Sequence, residues 1–312
     1  MMHEFIIPLL NAVIIIALSP LFMTLVRKVK ARTQRRAGPP LLQGYYTLRK
    51  LLQKEVIYSD YSGAISRIAP YAVLSLMISA ALMVPVIWIP GDEIIPGSII
   101  IFLYLLATGR ILLSLLGLDA GSTFGGMGSS REMSLSAVIE PTTIIVFAAM
   151  AYVTGTLSIP GMFRHTASLI PAISPTILLL SVSLFILIIV ETGRIPVDNP
   201  ETHLELTMIH EGMVLDTSGR NLALLELAHG IKQTLLMVLL LNMLIPAGVF
   251  MEFSLPALIA GLLLFVLKGA GLSILIGIVE SSFAKMRFFQ IPNLFMMAFF
   301  FSALTIFTEV ML

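Results

Sequence analysis

The sequence predicts an all-α, polytopic membrane protein with about eight transmembrane helices and one amphipathic helix lying on the membrane surface. Composition is the first reason. Of the residues, 57% are hydrophobic and 12% charged, with a mean hydropathy of +0.98, whereas about a quarter of the residues in soluble domains are charged. The second reason is arrangement, since the apolar residues gather into runs near or above the roughly 20 needed to cross a bilayer. The third is the position of Lys and Arg, which fall almost wholly in alternate connections.

The runs lie at about 5–26, 68–89, 97–118, 133–154, 175–193, 222–247, 256–279 and 292–312, the one at 175–193 being the shortest. They are read as a single integral membrane domain over 1–312, with no linker, low-complexity tract or internal repeat between them. The first run starts without a basic segment or an A-x-A site and continues to Val26, which predicts a retained helix rather than a cleaved signal. A basic turn follows, Arg32-Thr-Gln-Arg35-Arg36-Ala-Gly38-Pro39-Pro40, whose Gly and prolines end the helix. Over 41–58, Leu41, Tyr45, Leu48, Leu51, Leu52 and Val56 recur at helical spacing opposite Gln43, Thr47, Lys50 and Lys54, the pattern of a helix at the membrane surface. Between the third and fourth runs, Gly117 to Glu132 is rich in glycine but lacks the G-x-x-x-x-G-K-[ST] phosphate pattern. It is read as a cytoplasmic turn or a place of close helix packing. After the fourth run, Pro160 and Pro171 bound an expected interfacial helix.

Orientation follows from charge. With the N-terminus outside, the connections after the first, third, fifth and seventh runs are cytoplasmic and hold the basic residues from Arg27 to Arg67, Arg131, Arg194, Arg220, Lys285 and Arg287, while the outside connections hold only Arg164. The protein is therefore expected in the cell (inner) membrane with its connection at 194–220 in the cytoplasm. A net charge of +1, with the basic residues along the membrane plane, speaks against a nucleic-acid partner.

That connection is the most chemically loaded part of the chain. Glu191, Arg194, Asp198, Glu201, His203, Glu205, His210 and Glu211 fall within 191–211. Pro196 and Pro200 dictate an extended or turned entry, after which Glu201 and Glu205 share one face of an expected helix. Like carboxylates one turn apart raise each other's pKa. The apolar residues between them, including Ile195, Val197, Leu204 and Ile209, indicate that the segment folds against other protein.

Charges also lie within the runs. Glu132, Ser136 and Glu140 are four apart and line one face of the fourth run. Glu226, His229 and Gln233 share a face of the sixth, with Lys232 one turn beyond His229, and Arg110, Lys232 and Lys268 fall deep in their runs. Charges at such depth must face a bundle interior or water and pair with one another. Buried pairs are at best neutral for stability against apolar replacements, so their number points to a proton or ion path rather than to helix register. The absence of cysteine excludes disulfides, thiolate metal sites and iron–sulfur ligation in this chain. His203 and His210 are seven apart, without the i,i+4 spacing of a zinc helix. No catalytic, cofactor-binding or metal-ligating residue is assigned.

Arg35-Arg36-Ala-Gly38-Pro39 before an amphipathic helix, then Glu191-x-Gly-Arg194-x-Pro196-x-Asp198-x-Pro200-Glu201-x-x-x-Glu205 and a later Ser218-Gly219, resembles subunit 1 of respiratory complex I. The stretch from Thr192 to Glu211 is closer to the equivalent subunit of membrane-bound [NiFe] hydrogenases of the formate hydrogenlyase and archaeal energy-converting types, and the resemblance covers nearly the whole chain. It implies a non-catalytic membrane anchor that couples a peripheral redox arm to antiporter-like subunits through a buried carboxylate path. The [NiFe] centre and iron–sulfur clusters would lie in the large and small subunits of that arm. The implied path is Glu140, Glu191, Asp198, Glu201, Glu205, Glu211 and Glu226 with Lys232 and Lys268, and the implied arm interface is Arg35, Arg36, Asp119, Arg194 and Asp216. Val197 stands where quinone-reducing members have Phe, and Asp216-Thr-Ser-Gly replaces their Glu-Tyr-Ser-Gly, which favours the hydrogenase branch. Three other readings stand beside it: a quinone-site subunit of an NADH- or ferredoxin-quinone oxidoreductase, a stand-alone secondary transporter, and a passive anchor.

Overall fold

The computed structural model describes residues 2–90, 97–168, 174–198, 208–251 and 254–311. Among these it is all-α, and seven helices are long and apolar enough to cross a membrane. The protein is a polytopic membrane protein.

Helix α1 (Met2–Thr33) contains Pro8 and Pro20. Proline has no N–H, so Pro20 frees the carbonyl four residues back, and Ser19 donates to that Ile16 oxygen at 3.0 Å. The disturbed turn is where α2 (Gln43–Gln53) docks. Tyr45 donates to the Ala17 carbonyl and the Gly44 N–H to Thr24 Oγ1 at 3.1 Å. A Cβ on Gly44 would lie 2.7 Å from the Pro20 oxygen, so only glycine permits this approach. Helix α2 is shorter than the expected 41–58. Beyond it the chain is held extended by Ser218, whose hydroxyl accepts from Ile57 N at 2.8 Å and donates to Ile57 O at 3.1 Å.

Helix α3 (Ala64–Met83) starts earlier and stops sooner than the apolar run at 68–89. It stops because Pro85 disfavours helical geometry at Val84. Val84 to Ile89 continue as buried extended chain inside the bundle. Its polar groups are met by Asn11, which bonds both Ile87 N and Trp88 O, by Asn242, and by the backbone of Phe250. Irregular backbone at membrane depth is tolerated only when paired in this way.

Helix α4 (Ile99–Asp119) is capped by Ser98 and α5 (Thr123–Thr154) by Ser122. Helix α5 begins ten residues before the expected 133, so the glycine-rich stretch from Thr123 onward is helix, not turn. Its glycines serve packing. The position of a Gly125 Cβ is occupied by the Gly117 carbonyl, and a Gly128 Cβ would lie 2.8 Å from the Ile209 oxygen. Gly155, at φ +66°, ends the helix. Helix α6 (Ile159–Ser168) lies where a helix is expected from Pro160 on, and buries Ile159, Met162 and Phe163 against α5 and α9.

Helix α7 (Pro175–Glu191) has 17 residues, about 25 Å, less than the roughly 30 Å hydrocarbon core. A short helix α8 (His210–Val214) leads to α9 (Gly219–Leu244). Then come α10 (Leu255–Ser282), a 3-10 turn at Phe288–Gln290, and α11 (Ile291–Met311). Helix α9 is the axis of the bundle, packing against α1, α2, α3, α6, α7 and α10. Its apolar stretch is 72% buried, against 33% for α10 and 22% for α11, which places those two at the lateral surface.

Candidate functional site, a charged chamber in the bundle

The helices around α9 enclose a cavity of about 510 Å³. Its lining includes apolar side chains such as Met23, Met77, Leu106 and Leu113. Charge reaches it from α1, α4, α5, the α7–α8 segment, α9 and α10.

Glu191, the last residue of α7, has a side chain with no exposed surface. Its two oxygens are shared between Arg110 of α4, in direct contact, and Lys232 of α9 at 2.7 Å. Thr143 of α5 donates to it at 3.3 Å. Arg110 in turn lies 3.6 Å from both Glu132 and Glu140. Three carboxylates thus face two cations, and the group carries a formal charge of −1 when every member is ionised.

A second group closes the far wall. Arg194 pairs with Glu280 of α10 at 2.7 Å and contacts Gln233 of α9, and Lys30 of α1 lies 4.0 Å from Glu280. Asp198 accepts from the backbone N–H groups of Ile209 (3.0 Å) and His210 (3.1 Å) and pairs with Lys285 at 2.8 Å. It therefore fixes the start of α8 to the α10–α11 connection. Glu226 meets Arg27 at 3.8 Å where both are partly exposed, a pair of small energetic weight. Glu211 has its pKa raised, chiefly by burial and further by Glu226 and Asp198, against the opposing pull of His210 and Arg27. The rings of His210 and His229 stack with centroids 4.8 Å apart.

Of the residues singled out in the sequence, the structure brings Glu191, Arg194, Asp198, Glu211, Glu226 and Lys232 to this cavity, with Glu140 tied to it through Arg110. It does not bring Lys268, which bonds the Ile245 and Ala247 carbonyls just past the end of α9, at 2.9 and 2.7 Å. Asp119 caps α3, accepting from Gly63 N, Ser66 N and Ser66 Oγ. Asp216 accepts from the Ser122 hydroxyl, and Arg35 and Arg36 are exposed on the turn after α1. Glu201 and Glu205 lie outside the described residues, as does His203. The sequence reading counted Lys30 and Lys285 toward orientation alone and left out Glu280. Glu280 is the one carboxylate of α10 and sits one residue past the end of the apolar run at 256–279, so the same signal that marked Glu191 would have found it. Among the described residues, no group of three or more His, Cys, Asp or Glu could hold a metal ion.

The family model described as NADH dehydrogenase matches residues 6–310. Hydrogenase-4 component C of Escherichia coli is 32% identical over 296 residues, covering 95% of this chain and 93% of that protein. Formate hydrogenlyase subunit 4 of the same organism is 29% identical, covering 92% of each. A subunit of the NADH-quinone oxidoreductase of Wolbachia pipientis is 27% identical over 86% of this chain and 84% of its own length. Among solved structures, a chain of the membrane-bound sulfane sulfur reductase, an archaeal respiratory membrane complex, has the same fold, with a TM-score of 0.80 at 19% identity over 98% of this chain and 99% of that one.

Proposed function

We propose, from the premise that this chain belongs to the NADH dehydrogenase family, that it is the coupling membrane subunit of a hydrogenase-type respiratory complex. In this reading it is not itself catalytic. It carries protonation changes between a peripheral arm and neighbouring antiporter-like membrane subunits. The [NiFe] centre and iron–sulfur clusters belong to the arm, the chain sits in the inner membrane, and the segment around 194–220 faces the cytoplasm.

One observation supports this above the others. Arg110 ties Glu191, which has no exposed side-chain surface, to Glu140, whose side chain is 46% exposed. Glu140 lies 17 residues from the start of α5, about 25 Å along it, and so near the middle of a membrane-crossing helix. A carboxylate open to the side of the molecule at that depth needs a protein neighbour. The chamber is thus continuous in charge with the lateral surface. Events at Asp198 and Glu211, next to the arm, would change the protonation of the Glu191 group and pass through Arg110 to Glu140.

Glu140→Gln in the assembled complex tests this. Redox turnover is expected to continue while ion movement per turnover falls at least about tenfold, read in sealed vesicles. Unchanged ion movement would remove Glu140 from the path. The apolar part of the lining, Met23, Met77, Leu106 and Leu113, favours a second reading in which a quinone headgroup enters the chamber. That reading expects inhibition of turnover by quinone-site inhibitors.

A further inference from the structure

Two imidazoles in the chamber have no place in the carboxylate path. His210 comes from α8 and His229 from α9, both half-buried, both lining the cavity and stacked at 4.8 Å with their planes tilted by 37°. The His210 backbone N–H donates to Asp198 at 3.1 Å and Glu211 follows it in the chain, whereas His229 stands three residues from both Glu226 and Lys232 on α9. Glu280, on α10, closes the same wall. The stacked pair joins α8, which carries Glu211 and is held by Asp198, to the stretch of α9 that carries Glu226 and Lys232.

Spacing along α9 says the same. Glu226, His229 and Lys232 succeed one another every three residues, about 4.5 Å of rise per step, and Lys232 reaches Glu191 at 2.7 Å. Between Glu226 and Lys232, His229 is the only side chain of α9 that can gain or lose a proton. It also has the one side-chain type whose ordinary titration falls near neutral pH.

We propose that His210 and His229 form a relay that holds one proton at a time and links Asp198 and Glu211 to the Lys232–Glu191 pair. It follows that the ion carried through the chamber is a proton and not a metal cation. This inference rests on the coupling role proposed above. Two imidazolium ions at 4.8 Å would repel, in a wall already holding Arg27, Arg194 and Lys232, so one of the pair is neutral whenever the other is charged. In each step one N–H bond breaks and another forms. A proton arriving from the Glu211 side converts one neutral imidazole to imidazolium, and that ring passes a proton through bridging water to the second ring and returns to neutral. The second ring then releases a proton to water or carboxylate on the Glu191 side, with no electron moved. The cavity has room for bridging water, which takes about 30 Å³ per molecule. A sodium ion would find no acceptor in a protonated imidazole and three cations around it.

The experiment uses the assembled complex in sealed vesicles, driven by a reduced viologen, with proton movement and redox turnover followed together. His229→Gln and His210→Gln are each expected to cut proton movement per turnover at least about tenfold, with viologen turnover kept. His229→Glu should restore part of the movement, with its pH optimum shifted downward, a response that a packing role would not give. Exchange of sodium for potassium should leave wild-type movement unchanged. If Glu140→Gln abolishes coupling while both Gln variants keep movement within about twofold and the pH profile of the wild type, the relay is wrong and the coupling role stands. If all three are without effect, the coupling role fails and the relay with it. A requirement for sodium overturns the relay. Should His229→Gln not assemble, His210→Gln and His229→Glu give the same decision.

Discussion

Arg110 reaches three carboxylates with a side chain only 5% exposed, and it shows how the site depends on completeness. Removing one partner of a buried ion pair leaves the other without compensation, typically at a cost of about 3–5 kcal/mol. Arg110→Met would leave Glu132, Glu140 and Glu191 together around an apolar side chain, and a loss of about 3–5 kcal/mol is expected, seen as a fall in the unfolding temperature of the detergent-solubilised protein. Glu211 gives a test of a different kind. Its folded pKa lies above the ordinary carboxylate value, so the folded state binds the extra proton between the two values. Its contribution to stability is therefore full below the unfolded pKa, about 4.3, and declines as pH rises through the raised value. Glu211→Gln stays neutral throughout. The unfolding temperature of Glu211→Gln relative to wild type is expected to rise with pH above that point, and a flat difference would show that Glu211 is not buried in this way.

The helices themselves were largely legible, because a membrane span writes itself as a long apolar run. Their ends were legible only where local chemistry decides. The runs at 97 and 175 begin next to Ser98 and Ser174, which cap α4 and α7, whereas the run at 68–89 passes over Val84-Pro85, where α3 stops. The start of α5 was missed because glycine reads as a turn signal, while here contacts with α4 and α8 hold the same glycines in a helix. Those contacts separate two neighbouring positions. A Cβ at Gly126 meets nothing within 4 Å, so Gly126→Ala should stabilise by about 0.5–1 kcal/mol through lost unfolded-state freedom. A Cβ at Gly128 would lie 2.8 Å from Ile209 O and 3.1 Å from Met213 N, so Gly128→Ala should destabilise by about 1–3 kcal/mol. Thermal unfolding of the two variants side by side would check both signs.

On the scale of the whole molecule, the sequence showed which residues are charged at depth but not which of them meet. Pairing depends on the rotation of each helix about its axis, and that is set by packing against other helices. Lys232 and Lys268 sit at similar depths in their runs, yet one joins Glu191 and the other holds carbonyls beyond α9. Asp119, expected at the arm interface, binds the first turn of α3, a contact the sequence did not reveal. The order of pairing also bears on how the chain is made. Every carboxylate partner of Arg110 lies later in the sequence, and Glu191 follows it by 81 residues. At roughly 5–20 residues per second, synthesis of that stretch takes on the order of 4–16 s. Through that interval α4 carries a cation whose insertion at the centre of a helix costs about 2.5–3.5 kcal/mol, with its final partner not yet translated. The Ile and Leu residues of α4, at about −0.3 to −0.6 kcal/mol each, outweigh that cost, so the helix can enter the membrane alone. What waits for α5 and α7 is the compensation of Arg110, and the charged group is complete only once α7 has been made.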